Sequence, residues 1–305
     1  MDWQERLDRE ISREMPELKM LAEEPMARHT SFRIGGPARR MAFPGTVEQF
    51  VRLMEIAGQC GIVPFVMGNG TNLLIPDEGL DRLVVHTGEL RRIAPGQESG
   101  TFTAEAGCLL RQAAEYACTA HLTGLEFAHG IPGSVGGAVC MNAGAYGGEM
   151  SQVLLGVTAL FPSEGVRYVE GKDLDLGYRH SLFTENPEAA VLSARFRLEP
   201  GEEPQIRQRM RELMDRRRTS QPLEFPSAGS TFKRPQGYYA GTLIDQCGLK
   251  GLRIGGAEVS QKHAGFLINR GSAACADVLA LIQEVQKRVK DQTGVELEPE
   301  VRIIR

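Results

Sequence analysis

The segment HGIPGSVGGAVCMNAGAYGG, residues 129–148, is unusually rich in glycine for a folded chain. Seven glycines lie between Gly130 and Gly148, where the average of 35 in 305 residues predicts about two. Such a density is typical of a backbone that approaches a ligand closely or makes several tight turns. Ser134 and Asn142 add polar groups to the segment. We therefore take it as the first candidate for a cofactor-binding loop.

A second glycine-rich segment, VMGNGTNLLI at residues 66–75, follows an apolar run that predicts a strand. It begins like the dinucleotide fingerprint GxGxxG, but Leu73 occupies the third glycine position and Pro76 follows closely. A Rossmann turn that opens a long helix is therefore not expected. The only Gly-Lys pair, Gly171-Lys172, lacks the upstream glycine of a Walker A loop.

Both glycine-rich segments are suited to an anion-binding nest, in which successive backbone N–H groups converge on phosphate oxygens without a helix. The side chains of Asn69, Thr71 and Asn72 can add donors. Taken alone, each segment is explained equally well by tight turns where two domains meet. Two such segments about 60 residues apart, both flanked by predicted strands, favour a bound diphosphate.

Composition excludes several classes of protein. The net charge of −4 gives no field that recruits nucleic acid or an anionic membrane surface. No apolar run approaches the roughly 18 residues of a membrane span. Residues 1–18 are dense in charge and lack the apolar run of a secretory signal. We expect a cytoplasmic, monomeric protein without nucleic-acid or membrane partners.

Cysteine and histidine spacing predicts no metal site. The six cysteines contain no CxxC pair, and the six histidines contain no HxxxH pair. The usual local signatures of structural zinc, a redox dithiol and a zinc protease are therefore absent. We expect the cysteines to be reduced and buried.

Helical and extended patterns alternate along most of the chain. Residues 2–22 are predicted to form an amphipathic helix that covers another element, and residues 31–198 mix short strands with helices. Near residue 200 a helix is predicted that begins with acids and ends with arginines, as the helix dipole favours. It is either a solvated connection, or one of Arg216, Arg217 and Arg218 meets an anionic ligand. A C-terminal amphipathic helix buries a face described by Val278, Leu281, Ile282, Val285 and Val289.

Six motifs occur in a fixed order: GNGTNLLI, GIPGSVGGAVCMNAGAYG, YRHSLF, AGSTFKRP, AGTLIDQCGLKG and LEPEVRIIR. Together they resemble the UDP-N-acetylenolpyruvoylglucosamine reductase (MurB) family, and the resemblance covers residues 28–305. Each motif is moderately specific, whereas the ordered set is highly specific. The short interval between the third and fourth motifs resembles the shorter subtype, which lacks an insertion that carries a tyrosine over the substrate.

The resemblance implies an α+β fold. It consists of an FAD-binding fold of the vanillyl-alcohol-oxidase (PCMH) type in two subdomains, plus a C-terminal α+β substrate domain. We expect an N-terminal helical segment at 1–30, the FAD-binding domain at 31–198 and the substrate-binding domain at 199–305. The boundary between the two subdomains is expected near 88–100.

The implied activity is that of UDP-N-acetylmuramate dehydrogenase in peptidoglycan precursor synthesis, which serves cell wall biogenesis, cell shape and cell division. NADPH reduces non-covalently bound FAD, and hydride then reaches the enolpyruvyl ether of UDP-N-acetylglucosamine enolpyruvate, giving UDP-N-acetylmuramate. The alternative is an FAD-dependent oxidase or dehydrogenase of the same fold acting on a small alcohol or sugar. Relatives of that kind often tether FAD to a histidine, for which His29, His86 and His129 are candidates. A non-catalytic nucleotide-binding or scaffold protein is a third alternative, which explains the glycine-rich segments but leaves Arg179, Ser230 and Glu300 in their matching motifs unexplained.

The resemblance assigns the two glycine-rich segments to FAD. The implied cofactor-binding residues are Gly68, Asn69, Gly70, Thr71, Asn72, Leu73, Gly130, Ile131, Pro132, Gly133, Ser134, Gly136, Gly137, Asn142 and Ala143.

Three residues match the family's catalytic positions. Hydride addition at the terminal methylene leaves negative charge beside the substrate carboxylate, so the site needs a fixed cation and a proton donor. Arg179 matches the arginine, Ser230 the proton donor and Glu300 the glutamate. Ser227 and Glu298 are the neighbours with which Ser230 and Glu300 are most easily confused. Implied substrate contacts are Tyr146, Arg217, Lys233, Arg234 and Lys250.

Overall fold

The computed structural model describes residues 2–304, which divide into two compact units. Unit 1 takes in the described residues of Met1–Ala22, Arg39–Asn69 and Arg82–Asp215. Unit 2 takes in those of Glu23–Ala38, Gly70–Asp81 and Arg216–Arg305. Each unit is therefore assembled from segments that are distant in sequence.

Helices and strands are distributed over both units. The α-helices are α1 (Trp3–Glu14), α2 (Val47–Gln59), α3 (Leu110–Thr119), α4 (Val135–Cys140), α5 (Leu182–Glu185), α6 (Glu203–Ser220), α7 (Ala240–Gln246) and α8 (Cys275–Thr293). Short 3-10 helices lie at Met26–Arg28, Thr87–Glu89, Glu126–Ala128, Met150–Gln152 and Gly171–Asp173. The strands are β1 (Lys19–Pro25), β2 (Pro37–Phe43), β3 (Phe65–Met67), β4 (Leu73–Leu74), β5 (Leu80–His86), β6 (Ile93–Pro95), β7 (Thr101–Glu105), β8 (Leu122–Thr123), β9 (Gly144–Ala145), β10 (Gly148–Glu149), β11 (Leu154–Phe161), β12 (Gly165–Glu170), β13 (Ala190–Arg197), β14 (Glu199–Pro200), β15 (Arg253–Ile254), β16 (Ala257–Val259), β17 (Leu267–Asn269) and β18 (Arg302–Ile303).

The helix predicted over residues 2–22 is correct for α1 and wrong beyond it. The side chain of Asp2 accepts a hydrogen bond from the Glu5 amide at 2.8 Å and caps the start of α1. Pro16 follows the C-cap residue Met15, and a residue before proline is disfavoured in the helical region. The chain therefore leaves the helix and continues into strand β1.

Unit 1 contains most of a four-stranded sheet with the order β1-β2-β5-β3. Strands β3 and β5 are parallel, with Phe65 opposite Val84. The apolar face of α1, through Leu7 and Ile11, joins Phe50 and Leu53 of α2 in one buried cluster. The predicted covering function of the N-terminal helix is confirmed by this packing.

A second sheet of unit 1 is antiparallel throughout and has the order β12-β11-β13-β7-β6. Its core includes Phe102 of β7 and Phe196 of β13, whose rings stack with centroids 4.8 Å apart. Helices α3 and α4 contribute their buried residues to the same cluster. The chain passes from the first sheet to the second between the end of β5 and the start of β6. The domain boundaries predicted from the sequence stay a prediction.

Unit 2 has its own apolar core around α7, α8 and the three-stranded sheet β15-β16-β17. All five apolar residues predicted for the inner face of α8 are buried. Asp77 caps α8, because its carboxylate oxygens accept hydrogen bonds from the Cys275 and Ala276 amides at 2.7 and 3.1 Å. Gly294 ends the helix with φ +74°, a conformation that glycine adopts without strain.

Within residues 2–304, no helix combines the length and apolar character that crossing a membrane requires.

Candidate active site

The first glycine-rich segment leaves β3 at Gly68 and packs against the second. A Cβ atom placed on Gly68 would lie 2.1 Å from Oγ of Ser134, so only glycine fits with Ser134 in this position. The Asn69 side chain donates a hydrogen bond from Nδ2 to the Pro132 carbonyl at 2.5 Å. These two contacts join residues 68 and 69 to residues 132–134. All of these residues belong to unit 1.

The remainder of the first segment belongs to unit 2. Gly70 has φ +61°, and its carbonyl accepts a hydrogen bond from the Ser31 amide at 3.1 Å. Asn72 donates from Nδ2 to the Glu300 carbonyl at 3.2 Å, and its own carbonyl accepts from the Arg302 amide at 3.0 Å. The Asn72 side chain thus fixes the backbone at Glu300 through a hydrogen bond.

The second glycine-rich segment forms the short helix α4. Ser134 is its N-cap and is buried, and its hydroxyl accepts a hydrogen bond from the Gly137 amide at 3.4 Å. The next two amides, of Val135 and Gly136, donate to the carbonyls of Cys108 and Ala106 at 2.8 Å. A Cβ on Gly136 would lie 2.9 Å from Cβ of Ala106. Gly136 therefore serves close packing, and protein carbonyls already occupy the amides of the first helical turn.

The amides of Gly133 and Ser134, and those of residues 69–72, donate no hydrogen bond to another described residue. Unused donors on glycine-rich backbone are the groups that a nest offers to phosphate oxygens. Because the Gly68 contact also excludes a side chain beside Ser134, the unit 1 residues Asn69, Gly133 and Ser134 fit a dinucleotide whose diphosphate accepts from backbone N–H groups.

Two exposed tyrosines of unit 1 stand on two-residue turns. Tyr146 and Gly147 join β9 to β10 with φ values of +54° and +88°, as a type I′ turn requires. Tyr178 and Arg179 form another two-residue turn, closed by two backbone hydrogen bonds between Gly177 and His180 at 3.1 and 3.2 Å, in which Tyr178 lacks the positive φ of a type I′ turn. Arg179 has φ +55°, an unusual conformation for a residue with a side chain. Its guanidinium carbon lies 5.4 Å from the centroid of the Tyr178 ring.

Ser230 and Glu300 are brought onto neighbouring backbone segments of unit 2. Thr231 lies between them, because its amide donates to the Gly265 carbonyl at 2.8 Å and its carbonyl accepts from the Glu300 amide at 2.7 Å. Ser230 pairs with Phe266 in an isolated antiparallel bridge. The buried hydroxyl of Thr231 also accepts a hydrogen bond from the Leu267 amide at 3.1 Å. We call this arrangement, residues 230–233 with 265–267 and 298–301, the strand ladder.

The strand ladder separates Glu300 from its neighbour Glu298. The Glu298 carboxylate is exposed and lies 2.5 Å from Nζ of Lys233, with which it forms an ion pair. Glu300 is half-buried, so it is less exposed than Glu298. Its backbone carbonyl accepts the hydrogen bond from the Asn72 side chain. The ion pair with Lys233 distinguishes the surroundings of Glu298 from those of Glu300, and the choice of Glu300 as the functional carboxylate stays a prediction. Ser227, the neighbour of Ser230, uses its carbonyl to accept from the Ser31 hydroxyl at 2.7 Å.

The other predicted substrate contacts have protein partners within unit 2. Nζ of Lys250 lies 2.6 Å from a carboxylate oxygen of Asp245. The guanidinium of Arg234 lies over the Tyr239 ring, 4.4 Å from its centroid. Arg217 is half-buried near the end of α6, the helix predicted from its charge pattern. The assignment of Lys250, Arg234 and Arg217 as substrate contacts therefore stays a prediction.

The histidines proposed as alternative cofactor tethers each have partners. Nε2 of His29 lies 3.0 Å from Glu24, and Nε2 of His129 lies 2.9 Å from Glu115. His86 accepts a hydrogen bond from the Gly88 amide. All six cysteines are free, and burial raises the pKa of the Cys108 and Cys275 thiols to about 11, so they stay protonated.

No group of three or more histidine, cysteine, aspartate or glutamate side chains within the described range could hold a metal ion.

Sequence reasoning missed three residues that shape these regions. Thr231 follows Ser230 in the motif AGSTFKRP, Ser181 lies two residues after Arg179 within YRHSLF, and His263 lies just before the segment GFLIN. The His263 ring accepts a hydrogen bond from the Gly265 amide at 3.1 Å, and burial lowers its pKa, with the charge of Lys250 acting in the same direction. No periodicity or spacing marks such contacts, because they join residues through the fold.

Comparison with known proteins identifies the family. Residues 221–304 match the profile of the UDP-N-acetylenolpyruvoylglucosamine reductase C-terminal domain, and residues 38–168 match that of an FAD binding domain. A UDP-N-acetylenolpyruvoylglucosamine reductase of Agathobacter rectalis is 48% identical over 96% of this chain and 96% of its own length. The chain belongs to the UDP-N-acetylenolpyruvoylglucosamine reductase family.

Further relatives agree with this membership. The reductase of Caldanaerobacter subterraneus subsp. tengcongensis is 48% identical over 95% of each chain. The crystal structure of UDP-N-acetylenolpyruvylglucosamine reductase (MurB) from Thermus caldophilus superposes with a TM-score of 0.79 at 36% identity, covering 94% of this chain and 99% of that chain. The family and the α+β fold class of the FAD-binding PCMH type, predicted from the ordered motifs, are confirmed.

Proposed function

We propose that the chain is a UDP-N-acetylmuramate dehydrogenase. It reduces the enolpyruvyl ether of UDP-N-acetylglucosamine enolpyruvate to the lactyl ether of UDP-N-acetylmuramate, while NADPH is oxidised to NADP⁺ and one proton is taken up. This is a step of peptidoglycan precursor synthesis. The observation that carries the proposal is family membership along nearly the whole chain, with relatives named for this reductase. An oxidase or dehydrogenase of the same fold is not favoured, because the C-terminal profile belongs to the reductase.

The cofactor is FAD, non-covalently bound, and NADPH is the co-substrate. Bound FAD supplies hydride transfer from NADPH to the substrate double bond. Within unit 1, the unused amides of Asn69, Gly133 and Ser134 support contacts to its diphosphate. Gly68, Asn69 and Pro132 support the same assignment by packing the two loops together. The Asn142 side chain bonds the Gly177 carbonyl and the Ser151 amide, and its contact with the cofactor stays a proposal.

Arg179 is proposed to bind the substrate carboxylate. Reduction of the double bond places negative charge on the carbon beside that carboxylate, and a guanidinium can accommodate both groups through paired N–H donors. The position of Arg179 at the tip of a closed turn supports this function, because the backbone beneath it is fixed. A cation that is already fixed in place needs little reorganisation when negative charge develops on the substrate.

Ser230 is proposed to donate the proton to the same carbon. A free hydroxyl is a weak acid, but a carbanion-like carbon is a stronger base, so transfer from Oγ is favourable once a cation stabilises the alkoxide. Pairing with Phe266 on one side and the Thr231 hydrogen bonds on the other support a fixed hydroxyl. Lys233 is a nearby cation in sequence, although it is paired with Glu298.

Glu300 is proposed to orient the enolate or a water molecule, or to donate as a protonated acid. Its backbone is held by Thr231 and by the Asn72 side chain, which supports a defined side-chain position. Tyr146, Arg217, Lys233, Arg234 and Lys250 remain proposed contacts to the UDP moiety. In a chain of the shorter subtype, Arg217 is the proposed cover for the diphosphate.

The domain limits of 1–30, 31–198 and 199–305 are proposed as the functional division, and the two profile matches at 38–168 and 221–304 support it. We also propose a cytoplasmic monomer that uses a UDP-sugar and NADPH.

The experiment that tests the activity is product analysis. The purified holoenzyme is incubated with NADPH and UDP-N-acetylglucosamine enolpyruvate, and the nucleotide sugar is followed by mass spectrometry. The proposal predicts a product heavier by two hydrogens, in equal amount to the NADP⁺ formed. Oxygen-dependent oxidation of simple alcohols or sugars, with no change in the nucleotide sugar, would instead support the oxidase alternative.

A further inference from the structure

The turn that carries Arg179 is tied to the second glycine-rich segment by two buried side chains. Asn142 is 3% exposed and donates from Nδ2 to the Gly177 carbonyl at 3.1 Å. Ser181 is 0% exposed and donates from Oγ to the Cys140 carbonyl at 2.8 Å. All of these residues belong to unit 1.

The two hydrogen bonds lie on opposite flanks of the turn. Gly177 precedes the Tyr178–Arg179 tip and Ser181 follows it, while their partners are separated by one residue in the chain. Gly177 and His180 close the turn between these flanks. The base of the turn is consequently fixed at both ends to residues 140–142.

Asn142 is also fixed from its other side. Its Oδ1 accepts a hydrogen bond from the Ser151 amide at 2.9 Å, so the amide plane has one donor and one acceptor partner. Its backbone has φ +39°, which asparagine tolerates better than most residues. The side chain is therefore a bridge between protein segments, and its predicted use as a cofactor contact stays a prediction.

Such bridges matter because the turn would otherwise be a surface loop. Tyr178 is 58% exposed, and Arg179 has a positive φ value that only surrounding contacts can maintain. Leaving a buried donor or acceptor without its partner is costly, so both hydrogen bonds favour a single position of the turn.

We propose that Asn142 and Ser181 are positioning residues for Arg179. They hold its turn on residues 130–143, so that the guanidinium keeps one position relative to the segment assigned to the cofactor. This inference rests on the proposed function of Arg179. A displacement of about 1 Å in a catalytic group can cost on the order of 100-fold in rate, so the tethers act on the chemical step rather than on folding alone.

The test replaces the donor without changing size. In Asn142→Asp the ionised carboxylate can still accept from the Ser151 amide but cannot donate to the Gly177 carbonyl, so the variant is assayed at a pH at which the carboxyl is ionised. Asn186→Asp is the matched control, because Asn186 donates from Nδ2 to the Leu182 carbonyl at 2.8 Å on the exposed end of α5. FAD content, reduction by NADPH and reoxidation by substrate are measured separately under anaerobic conditions.

We expect Asn142→Asp to slow reoxidation by substrate on the order of 10- to 100-fold. FAD content and reduction by NADPH should remain near wild type, and Asn186→Asp should match wild type in all three. Ser181→Ala, which introduces no charge, should give the same pattern and keeps the test valid if Asn142→Asp fails to fold. Loss of FAD, or equal slowing of both half-reactions, would overturn the inference.

A double-mutant cycle decides whether the effect passes through Arg179. Adding Asn142→Asp to Arg179→Ala should cause no further loss, because the group being positioned is gone. Losses that multiply would show that Asn142 acts independently and would refute the positioning role. If Arg179→Ala alone leaves reoxidation unchanged, the proposed function of Arg179 fails, whatever the tethers do.

Discussion

Arg179 stands at the tip of a turn that buried side chains hold in place, whereas Ser230 and Glu300 lie on backbone segments that pair with their neighbours. The first arrangement belongs to unit 1 and depends on a few hydroxyl and amide groups. The second belongs to unit 2 and depends mainly on N–H and C=O groups that every residue possesses. The two regions should therefore differ in how single substitutions affect them.

The difference concerns how a functional side chain acquires a fixed position. In the strand ladder, replacing a side chain leaves the backbone pairing intact, so a substitution removes one chemical group. In the turn that carries Arg179, replacing Asn142 or Ser181 removes a hydrogen bond that fixes the turn. The substitution therefore displaces the guanidinium of Arg179, a residue that is itself unchanged. Gly68 adds a third case, in which the absence of a side chain allows two loops to pack.

Ser230→Ala is expected to have the largest effect. It removes the proposed proton donor without disturbing the ladder, so reoxidation by substrate should fall on the order of 10²- to 10⁴-fold while reduction by NADPH is retained. Anaerobic stopped-flow measurement of each half-reaction checks this. Ser227→Ala is the control and should behave like wild type. Equal loss in both half-reactions would contradict the proton-donor role.

Gly68→Ala should weaken FAD binding. The added Cβ would meet Ser134 Oγ at 2.1 Å, and moving Ser134 removes the cap from the Gly137 amide. Overpacking of this kind typically costs about 1–3 kcal/mol, which we expect as lost FAD affinity in a titration of apoprotein. Gly58→Ala is the control, since nothing lies within 4 Å of its Cβ position in α2. Equal FAD affinity in the two variants would remove Gly68 from the cofactor site.

Thr231→Val tests the strand ladder. The substitution keeps the shape but leaves the buried Leu267 amide without its side-chain acceptor, which should lower the free energy of unfolding by about 1–3 kcal/mol. Urea unfolding of the holoenzyme gives the value. Thr119→Val, at an exposed position where the hydroxyl donates to the Tyr116 carbonyl, is the matched control and should change stability less. If both variants are equally stable, backbone pairing alone holds the ladder.

His263 should give the smallest effect, as a dependence of stability on pH. Burial lowers its pKa below the ordinary value of 6.5, so the unfolded chain binds more protons than the folded chain just below that pH. Stability is therefore fully present above pH 6.5 and decreases as pH falls toward the folded-state pKa. In His263→Asn this loss should be absent, and Tm measured between pH 8 and about 5 should fall less than in wild type. Parallel curves would exclude His263 as the group responsible.

The sequence predicted the family, the fold class and most regular elements, since apolar periodicity and ordered motifs are local properties. The inner face of α8 and the helix predicted near residue 200, which is α6, are examples. The N-terminal helix is shorter than predicted, because Pro16 disfavours helical backbone at Met15 and the helix ends at Glu14. Proline's restriction on the preceding residue is itself local, so this boundary was predictable.

The connections within the site could not be predicted in the same way. Asn142 and Gly177 are 35 positions apart, and Asn72 and Glu300 are 228 apart. Nothing in the residues next to Asn142 indicates that its amide will bridge two protein segments. The ion pair between Lys233 and Glu298 likewise joins residues 65 positions apart, and no local pattern indicates it.

The most direct test of the account is an anaerobic two-step titration of the wild-type holoenzyme. NADPH is added until the visible absorbance of oxidised flavin is lost, and UDP-N-acetylglucosamine enolpyruvate is then added without oxygen. We predict that the absorbance returns in proportion to the UDP-N-acetylmuramate formed. If the flavin stays reduced in the presence of substrate, the central claim is contradicted.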